Sequence, residues 1–406
     1  MMEKIRLGDL VEFQRGYDLP KNEFKNGKIP VISSNGILGY HNEVKIKEIG
    51  ITIGRSGTVG FPHLIKQDFF PHNTTLFIKN FNGNNVVYIY YLLKSLNLNE
   101  YKSGSGVPTI NRNHLHPLKV TATKNKETQQ KIAKILSDID DKIEILHQIN
   151  DNLAELAKTI YDYWFVQFDF PDENGKPYKT SGGKMFYNEV LKREIPEGWE
   201  VCTFSNFIKD IKNGDWGKEQ EEGNYTEKVS CIRGADINGL NGNGELKSPI
   251  RYINEKNKCK ILVENDFIIE ISGGSPTQST GRIALLTSNT FARFKNNIIC
   301  SNFCKAISLK DEKYTFFFLK EWERLYYNNI LFSFEGKTSG IKNFLFEAFI
   351  HTYPIISPQK SIIEKYNFYN IKVDENKQKN LQQIQHFRSL RDWLLPMLMN
   401  GQISVE

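Results

Sequence analysis

Apolar positions are spaced most regularly from about Glu127 to Trp164. Ile132, Ile139, Leu146, Leu153 and Ile160 recur every seventh residue, and Leu136, Ile143, Asn150, Ala157 and Trp164 follow each by four. Both seam positions of a heptad are thus filled, which predicts a helix built to lie along another helix. About 38 residues at 1.5 Å each would span roughly 55 Å. The polar exception, Asn150, falls mid-seam, where a buried amide fixes register at some cost in stability. Lys131, Lys134, Asp138, Asp141 and Lys142 lie off the seam, as solvated flanks should. A second helical stretch opens at Ser357-Pro358, an N-cap with proline at the first helical position. It runs through Ile363, Tyr366, Val373, Leu381, Ile384, Phe387, Leu394 and Leu398 to near Gly401, with Asn370, Lys377 and Arg391 interrupting one seam. An isolated heptad fits a homodimeric coiled coil equally well; a second long helix in the same chain favours an intrachain, antiparallel pair.

Each helical stretch follows a region of short strands and glycine-rich turns. In the first, residues 30–32, 50–53 and 75–78 read as strands and residues 86–98 as one buried helix. Residues 169–196 are rich in Pro, Gly, Asp and Lys and read as a connector; Pro196-Glu197-Gly198-Trp199 then opens a second turn-and-strand region lasting to about Pro354. The segmentation is therefore a domain over 1–122, a long helix over 123–166, a connector over 167–196, a domain over 197–356 and a C-terminal helix over 357–406. The two halves are imperfect copies. Leu10-Val11 and Gly16 resemble Phe207-Ile208 and Asn213-Gly214; Ile32 to Ile37 aligns with Ile232 to Ile237 at an offset of 200. Arg55-Ser56-Gly57 aligns with Ser272-Gly273-Gly274 at 217, and Gly106 with Gly340 at 234. Order is kept while the offset grows, so the second copy carries insertions. The fold expected is α+β: two mixed domains, a pair of long antiparallel coiled-coil helices between them, and a pseudo-twofold repeat.

Composition narrows the function. At 406 residues there is room for two or three cores, and 39% hydrophobic with 25% charged residues is ordinary for a globular chain. No apolar run of about eighteen residues exists, MMEKIRLGDL lacks a signal-peptide core, and five irregularly spaced cysteines fit a reducing cytoplasm. A net charge of +6 permits nucleic-acid binding without demanding it. Catalytic patterns fail one by one. Gly336-Lys337-Thr338 resembles the end of a phosphate-binding loop, but the required glycine five positions before Gly336 is Leu331. Asp172 and Glu173 sit in the connector rather than on neighbouring strands, Cys300 and Cys304 have no nearby histidine, and His114 and His116 flank a turn as solvated imidazoles. No catalytic residue, metal site or cofactor is expected in this chain.

What remains is a set of glycine-rich loops carrying donors and acceptors, at corresponding places in both copies. Glycine lets backbone approach phosphate, while Arg, Asn, Gln and Ser can read base edges. The candidate DNA-contacting residues are Arg15, Tyr17, Ser34, Asn35, Arg55, Ser56, His72, Asn73, Ser105 and Asn111 in the first domain. In the second they are Trp216, Lys218, Arg233, Asp236, Ser272, Ser275, Gln278, Lys337, Lys342 and Asn343. For any one loop an ordinary surface turn is the simpler reading; recurrence in both copies favours function. The candidate stalk and partner-binding residues are Ile132, Leu136, Ile139, Ile143, Leu146, Asn150, Leu153, Ile160, Trp164, Ile384, Phe387, Trp393, Leu394 and Leu398.

The order of domain, helix, domain and helix resembles the specificity subunit of type I restriction–modification systems. Local wording supports the likeness: Glu127-Thr128-Gln129-Gln130-Lys131-Ile132-Ala133 opening the first helix and Ile160-Tyr161-Asp162-Tyr163-Trp164-Phe165-Val166 closing it. Pro196-Glu197-Gly198-Trp199-Glu200-Val201 enters the second domain, and Leu390-Arg391-Asp392-Trp393-Leu394-Leu395-Pro396-Met397-Leu398-Met399-Asn400-Gly401 closes the chain. The polar run from Lys372 to Gln383 departs most. The resemblance implies two target-recognition domains, each reading half of a split DNA sequence, with the helices as a ruler. It further implies two modification subunits using S-adenosylmethionine and two restriction subunits using ATP and Mg, around a chain itself catalytically silent. A recognition subunit serving a fused nuclease–methyltransferase, and a coiled-coil scaffold without DNA function, are the competing readings.

Overall fold

The structure is a computed structural model that describes residues 2–103, 108–275, 277–338 and 340–405. The chain forms two compact units, one of Met1–Glu144 with Gln385–Glu406, the other of Ile145–Ile384. Each unit therefore holds one β-rich domain and a portion of both long helices, Lys126–Tyr161 and Lys360–Met399.

In the first unit, a four-stranded antiparallel sheet takes the order Glu12–Arg15, Thr75–Asn80, Gly50–Gly54, Pro62–Ile65. Gly50–Gly54 is buried at every position, as an inner strand covered on both faces should be. A three-stranded sheet pairs Ile29–Ser33 antiparallel with Gly36–His41 and parallel with Phe70–Pro71. Glu3–Arg6 and Lys119–Ala122 close the domain as an antiparallel pair. The helix Val86–Ser95, capped by Asn85 accepting from the Tyr88 amide at 2.9 Å, buries Tyr88, Ile89 and Leu92 in the core with Phe13, Ile51, Ile53, Leu76 and Ile78.

The second unit repeats this plan strand for strand. Its four-stranded sheet runs Ile208–Asn213, Cys304–Leu309, Phe267–Glu270, Ile283–Leu285, all antiparallel. Tyr225–Ile232 pairs antiparallel with Ile250–Asn254 and parallel with Asn297–Cys300, Glu200–Thr203 pairs with Pro354–Ser357, and Thr315–Tyr327 supplies the core helix. The core is strongly aromatic: Phe204, Phe318, Phe349 and Trp322 interlock, and the buried Trp322 indole donates to the Gly281 carbonyl at 2.7 Å. A further sheet, Ser272–Gly273, Ile341–Phe344 and Glu335–Thr338, stands where the first domain has the isolated bridges Ser56–Thr109 and Ser103–Thr109.

Backbone hydrogen bonds fix the repeat residue by residue. His72 N donates to Ile32 O, and Ser301 N to Ile232 O, so the offset of 200 between Ile32 and Ile232 is the structural one. Ile110 N donates to Arg55 O as Phe344 N does to Ile271 O, an offset of 344 − 110 = 234. The third alignment needs correcting by one. Arg55 N and Ser56 N both donate to Thr74 O, and Ile271 N and Ser272 N both donate to Phe303 O. Ser56 therefore corresponds to Ser272, offset 216, and Arg55 to Ile271. Gly104 to Val107, including the Gly106 used in the alignment, lie outside the described residues.

Within each unit the helix portions run antiparallel. In the first, Ile132 and Leu136 are buried with Leu395 and Leu398, and Asp140 accepts from Arg391 at 2.7 Å. In the second, the amide of the buried Asn150 donates to Lys377 O at 3.2 Å and its oxygen accepts from Asn380 at 2.8 Å, while Trp164 packs on Tyr366. Ile143, Leu146 and Ala157 are buried in the seam; Ile139, Leu153 and Ile160 are half-buried. Asn370, Lys377 and Arg391 lie in the same seam. Asn370 is buried with its amide on Tyr366 O at 2.9 Å, and Arg391 meets Asp140, which also accepts from Tyr91 at 2.8 Å. On the second helix Ile384 is buried, Phe387 and Leu394 are half-buried, but Trp393 is 53% exposed and is not a seam residue. Leu395, two residues on, takes the inward position.

The first helix is anchored at its start by Gln129. Fully buried, its side chain donates to Asn84 Oδ1 and Thr123 O at 2.8 and 2.7 Å and accepts from Asn85 N at 2.8 Å. At its end it widens into a π-turn, Asp162–Val166, where the heptad stops. The connector is ordered: Met185–Asn188 and Arg193–Pro196 form a hairpin, and Phe170 stacks between Tyr178 and Trp199 at 4.6 and 5.1 Å. Among the described residues no helix is long and apolar enough to cross a membrane.

Candidate nucleic-acid interface

In the first domain the strand Glu12–Arg15 ends at Gly16, where a Cβ would lie 2.1 Å from the His72 carbonyl oxygen. Only glycine lets the two loops touch there. Tyr17 then bridges to His72, bringing residues 15–18 beside 72–74. Arg15 pairs with Asp18 at 2.8 Å, and the Asn73 amide donates to the same carboxylate. Arg55 Nη1 donates to Asn73 O at 3.2 Å, Ser34 N to Thr74 Oγ1 at 3.3 Å, His72 Nδ1 meets Thr74 Oγ1 at 3.2 Å, and Thr58 donates to Asn35. Burial pushes the His72 imidazole pKa down. Arg15, Tyr17, Ser34, Asn35, Arg55, Ser56, His72 and Asn73 are thus brought together. Asn111 follows Ile110, whose amide bonds Arg55 O, and caps its own turn by accepting from Asn113 N at 3.0 Å. Ser105 lies outside the described residues. Sequence reasoning missed Asp18 and Thr58, which orient these groups, and Phe61, exposed beside the same loop with its carbonyl on Gly54 N.

The second domain builds the same corner differently. A Cβ at Gly214 would lie 1.9 Å from Ser301 O, the counterpart of Gly16 on His72. Trp216 lies under the Arg251 guanidinium at 4.1 Å, and Arg251 pairs with Glu219 at 2.9 Å. Arg233 is held by Asp236 through Nε and Nη2 at 2.8 and 3.0 Å and by Lys247 O at 3.0 Å. That hydrogen bonding raises the already high Arg233 pKa. A groove of about 500 Å³ is lined by Trp216, Arg233, Ser272, Glu270, Arg282 and Phe303 among others. Its floor is the buried Glu270, whose two oxygens accept from Arg282 at 2.6 and 2.8 Å. Glu270, Arg282 and Phe303 were not anticipated. They stand where the first domain has Gly54, Phe61 and Thr74, since Gly54 N donates to Phe61 O as Glu270 N does to Arg282 O.

Other expected residues lie elsewhere or face other partners. Ser272 Oγ donates to Asn343 Oδ1 at 2.6 Å, and Lys218 pairs with Glu222 at 2.8 Å. Ser275 Oγ accepts from Gln278 N at 3.2 Å, and Gln278 lines a separate cavity of about 320 Å³ with Asn238, Asn241 and Asn329. Lys342 pairs with Glu335 at 3.1 Å over the Phe332 ring. For Lys337 the backbone alone is described, in the strand Glu335–Thr338. Arg15, Lys218, Arg233 and Lys342 therefore each meet a carboxylate. They are positioned groups, and a phosphate would compete with an existing ion pair at each.

The first long helix also has an outward face. Ile145, Ile149, Leu156 and Tyr163 are all exposed and, at about 100° per residue, fall within an arc of about 40°. Phe368 and Tyr369 of the second helix are exposed as well, Tyr369 packing edge-on against Trp164. Heptad reading found the inward seam and passed over this stripe. His116, expected to be solvated, instead accepts from Phe13 N at 3.0 Å and stacks on that ring. Among the described residues no group of three or more His, Cys, Asp or Glu could hold a metal ion. Burial drives the Cys231 and Cys300 thiols up to about 12, which leaves them unreactive.

Residues 1–155 match the family model described as the type I restriction modification DNA specificity domain. The chain is 26% identical to the type I restriction enzyme MjaIX specificity subunit of Methanocaldococcus jannaschii, over 95% of this chain and 89% of that one. It is 23% identical to the HindI specificity subunit of Haemophilus influenzae, over 78% and 77% respectively. The solved S subunit of a type I restriction-modification system from M. genitalium shares the fold, with a TM-score of 0.62 and 17% identity over 98% of this chain and 96% of that one.

Proposed function

We propose that this chain, which carries a type I DNA specificity domain and resembles specificity subunits over nearly its whole length, reads a bipartite double-stranded DNA target with one domain per half-site. The observation that carries the proposal is the duplicated corner: one backbone frame, closed by Gly16 and by Gly214, presents unlike side chains in the two domains. A shared frame with changed side chains is what two readers of different half-sites require. The long helices serve as the ruler that sets the unread spacer. The chain itself does no chemistry and works in the cytoplasm; it places two modification subunits, which bring S-adenosylmethionine, and two restriction subunits, which bring ATP and Mg. The outward stripe of Ile145, Ile149, Leu156 and Tyr163 suits docking of a partner, because solvent-exposed apolar stripes on a helix seek cover.

The test is single-molecule sequencing for methylated adenine in cells holding this chain and its modification partner, before and after residues 1–122 are exchanged for another first domain. A split motif of which one half changes is the expected result. An active partner that methylates without a split motif would refute the reading.

A further inference from the structure

Because the two corners share their backbone hydrogen bonds, their side chains compare position by position, and Arg55 stands out. Its amide donates to Thr74 O at 2.8 Å and its carbonyl accepts from Ile110 N at 2.9 Å, so the backbone that carries it is pinned at both ends. Its guanidinium makes one bond, from Nη1 to Asn73 O at 3.2 Å. Among the described residues no carboxylate lies within ion-pair reach of Arg55, and Nε and Nη2 have no protein acceptor. The other arginines of the two corners each meet a carboxylate, Arg251 through Nη1 to Glu219 at 2.9 Å. Arg15 is held by Asp18. Arg233 spends Nε and Nη2 on Asp236, and Arg282 spends the same pair on Glu270. At the place of Arg55 the second domain has Ile271.

A guanidinium fixed through Nη1 with its Nε–Nη2 edge open presents two parallel donors. That spacing matches the O6 and N7 acceptors of guanine in the major groove. We propose that Arg55 is a specificity-determining residue of the first domain and reads one guanine of the first half-site through that edge. The inference rests on the DNA-reading function proposed above. It also assigns an asymmetry: the second domain, with isoleucine at this place, reads its half-site without this device.

The experiment uses the chain assembled with its modification partner and reads the methylated motif for wild type and for Arg55→Lys. Lysine keeps the charge and can still hold a phosphate, but it lacks the planar fork. The expected result is that one guanine of the first half-site becomes degenerate, discrimination there falling on the order of tenfold, while the second half-site is unchanged. A motif unchanged at every position would overturn the assignment, including when methylation falls evenly at all sites, as a lost phosphate contact would make it. A second measurement needs no variant. Target duplexes carrying 7-deazaguanine, which lacks N7, at each guanine in turn should weaken wild-type binding several-fold at one first-half position. Indifference at every first-half guanine would overturn the proposal. If the wild type shows no split motif, the failure belongs to the DNA-reading function itself.

Discussion

Asn150 shows how a single polar residue can be costly alone and neutral as a pair. Its oxygen takes the Asn380 amide and its own amide takes Lys377 O. Asn150→Leu strands the Asn380 donor beside an apolar side chain, so the variant should lose about 1–3 kcal/mol. Asn150→Leu with Asn380→Leu removes both partners and should recover most of that loss, at the expense of the device that fixes register. Urea unfolding of both variants checks this; equal losses would mean the amide pair does not couple the helices. Asp169 carries a pH dependence. Its carboxylate accepts from Thr180 Oγ1 and Thr180 N at 2.7 and 2.8 Å, which holds its pKa below the ordinary aspartate value. A depressed carboxylate pKa stabilises the fold above the unfolded value and ceases to as pH falls through the folded one. Asp169→Asn should therefore melt earlier than wild type at pH 7, with the difference closing below about pH 4. Much at this scale was beyond sequence. Arg233 and Lys342 were named only as candidate DNA contacts, because nothing in a one-dimensional pattern says that Asp236 and Glu335 meet them. Asp236 was named as a DNA contact; in the structure it orients Arg233.

Elements were far more readable than side-chain partners, for a physical reason. A buried helix face or strand must repeat its apolar positions at the period of the backbone, so periodicity survives in the sequence. That is why the first long helix and the strands around residues 30–32, 50–53 and 75–78 were found. The failures mark where periodicity is silent. Periodicity does not separate the exposed Trp393 from the buried Leu395 within the closing helix. Arg55-Ser56-Gly57 was matched one residue off because glycines were aligned, whereas the hydrogen bonds to Thr74 and Phe303 set the register. The outward stripe went unnoticed because Ile145, Ile149, Leu156 and Tyr163 interleave with the seam and look like part of it. Its proposed role is testable without touching the core. Ile149→Lys with Leu156→Lys should leave the melting temperature within a degree or two, as exposed substitutions usually do. The same variant should weaken assembly with the modification subunits by tenfold or more in analytical ultracentrifugation. Full assembly by a folded double variant would mean that the partners dock elsewhere.

At the scale of the whole molecule, the repeat turns one solution into two. Each domain presents its loops from a corner of the same construction, and each unit takes a share of both helices. If the helices set the spacer, changing their length by a whole heptad should change it while leaving both readers alone. Seven residues inserted after Asn150 and seven at the facing level of the second helix, beside Asn380, preserve the phase of both seams, because the inserted repeat is the repeat already used. The added rise is about 10 Å, or on the order of three base pairs of duplex. A heptad inserted in one helix alone leaves its partner short and should cost stability instead. A motif with both half-sites intact and a longer spacer is therefore the expected result for the paired insertion, read by methylome sequencing. The same spacer in a folded, active complex would show that the distance is held by the partner subunits, and the helices would then be a docking surface only.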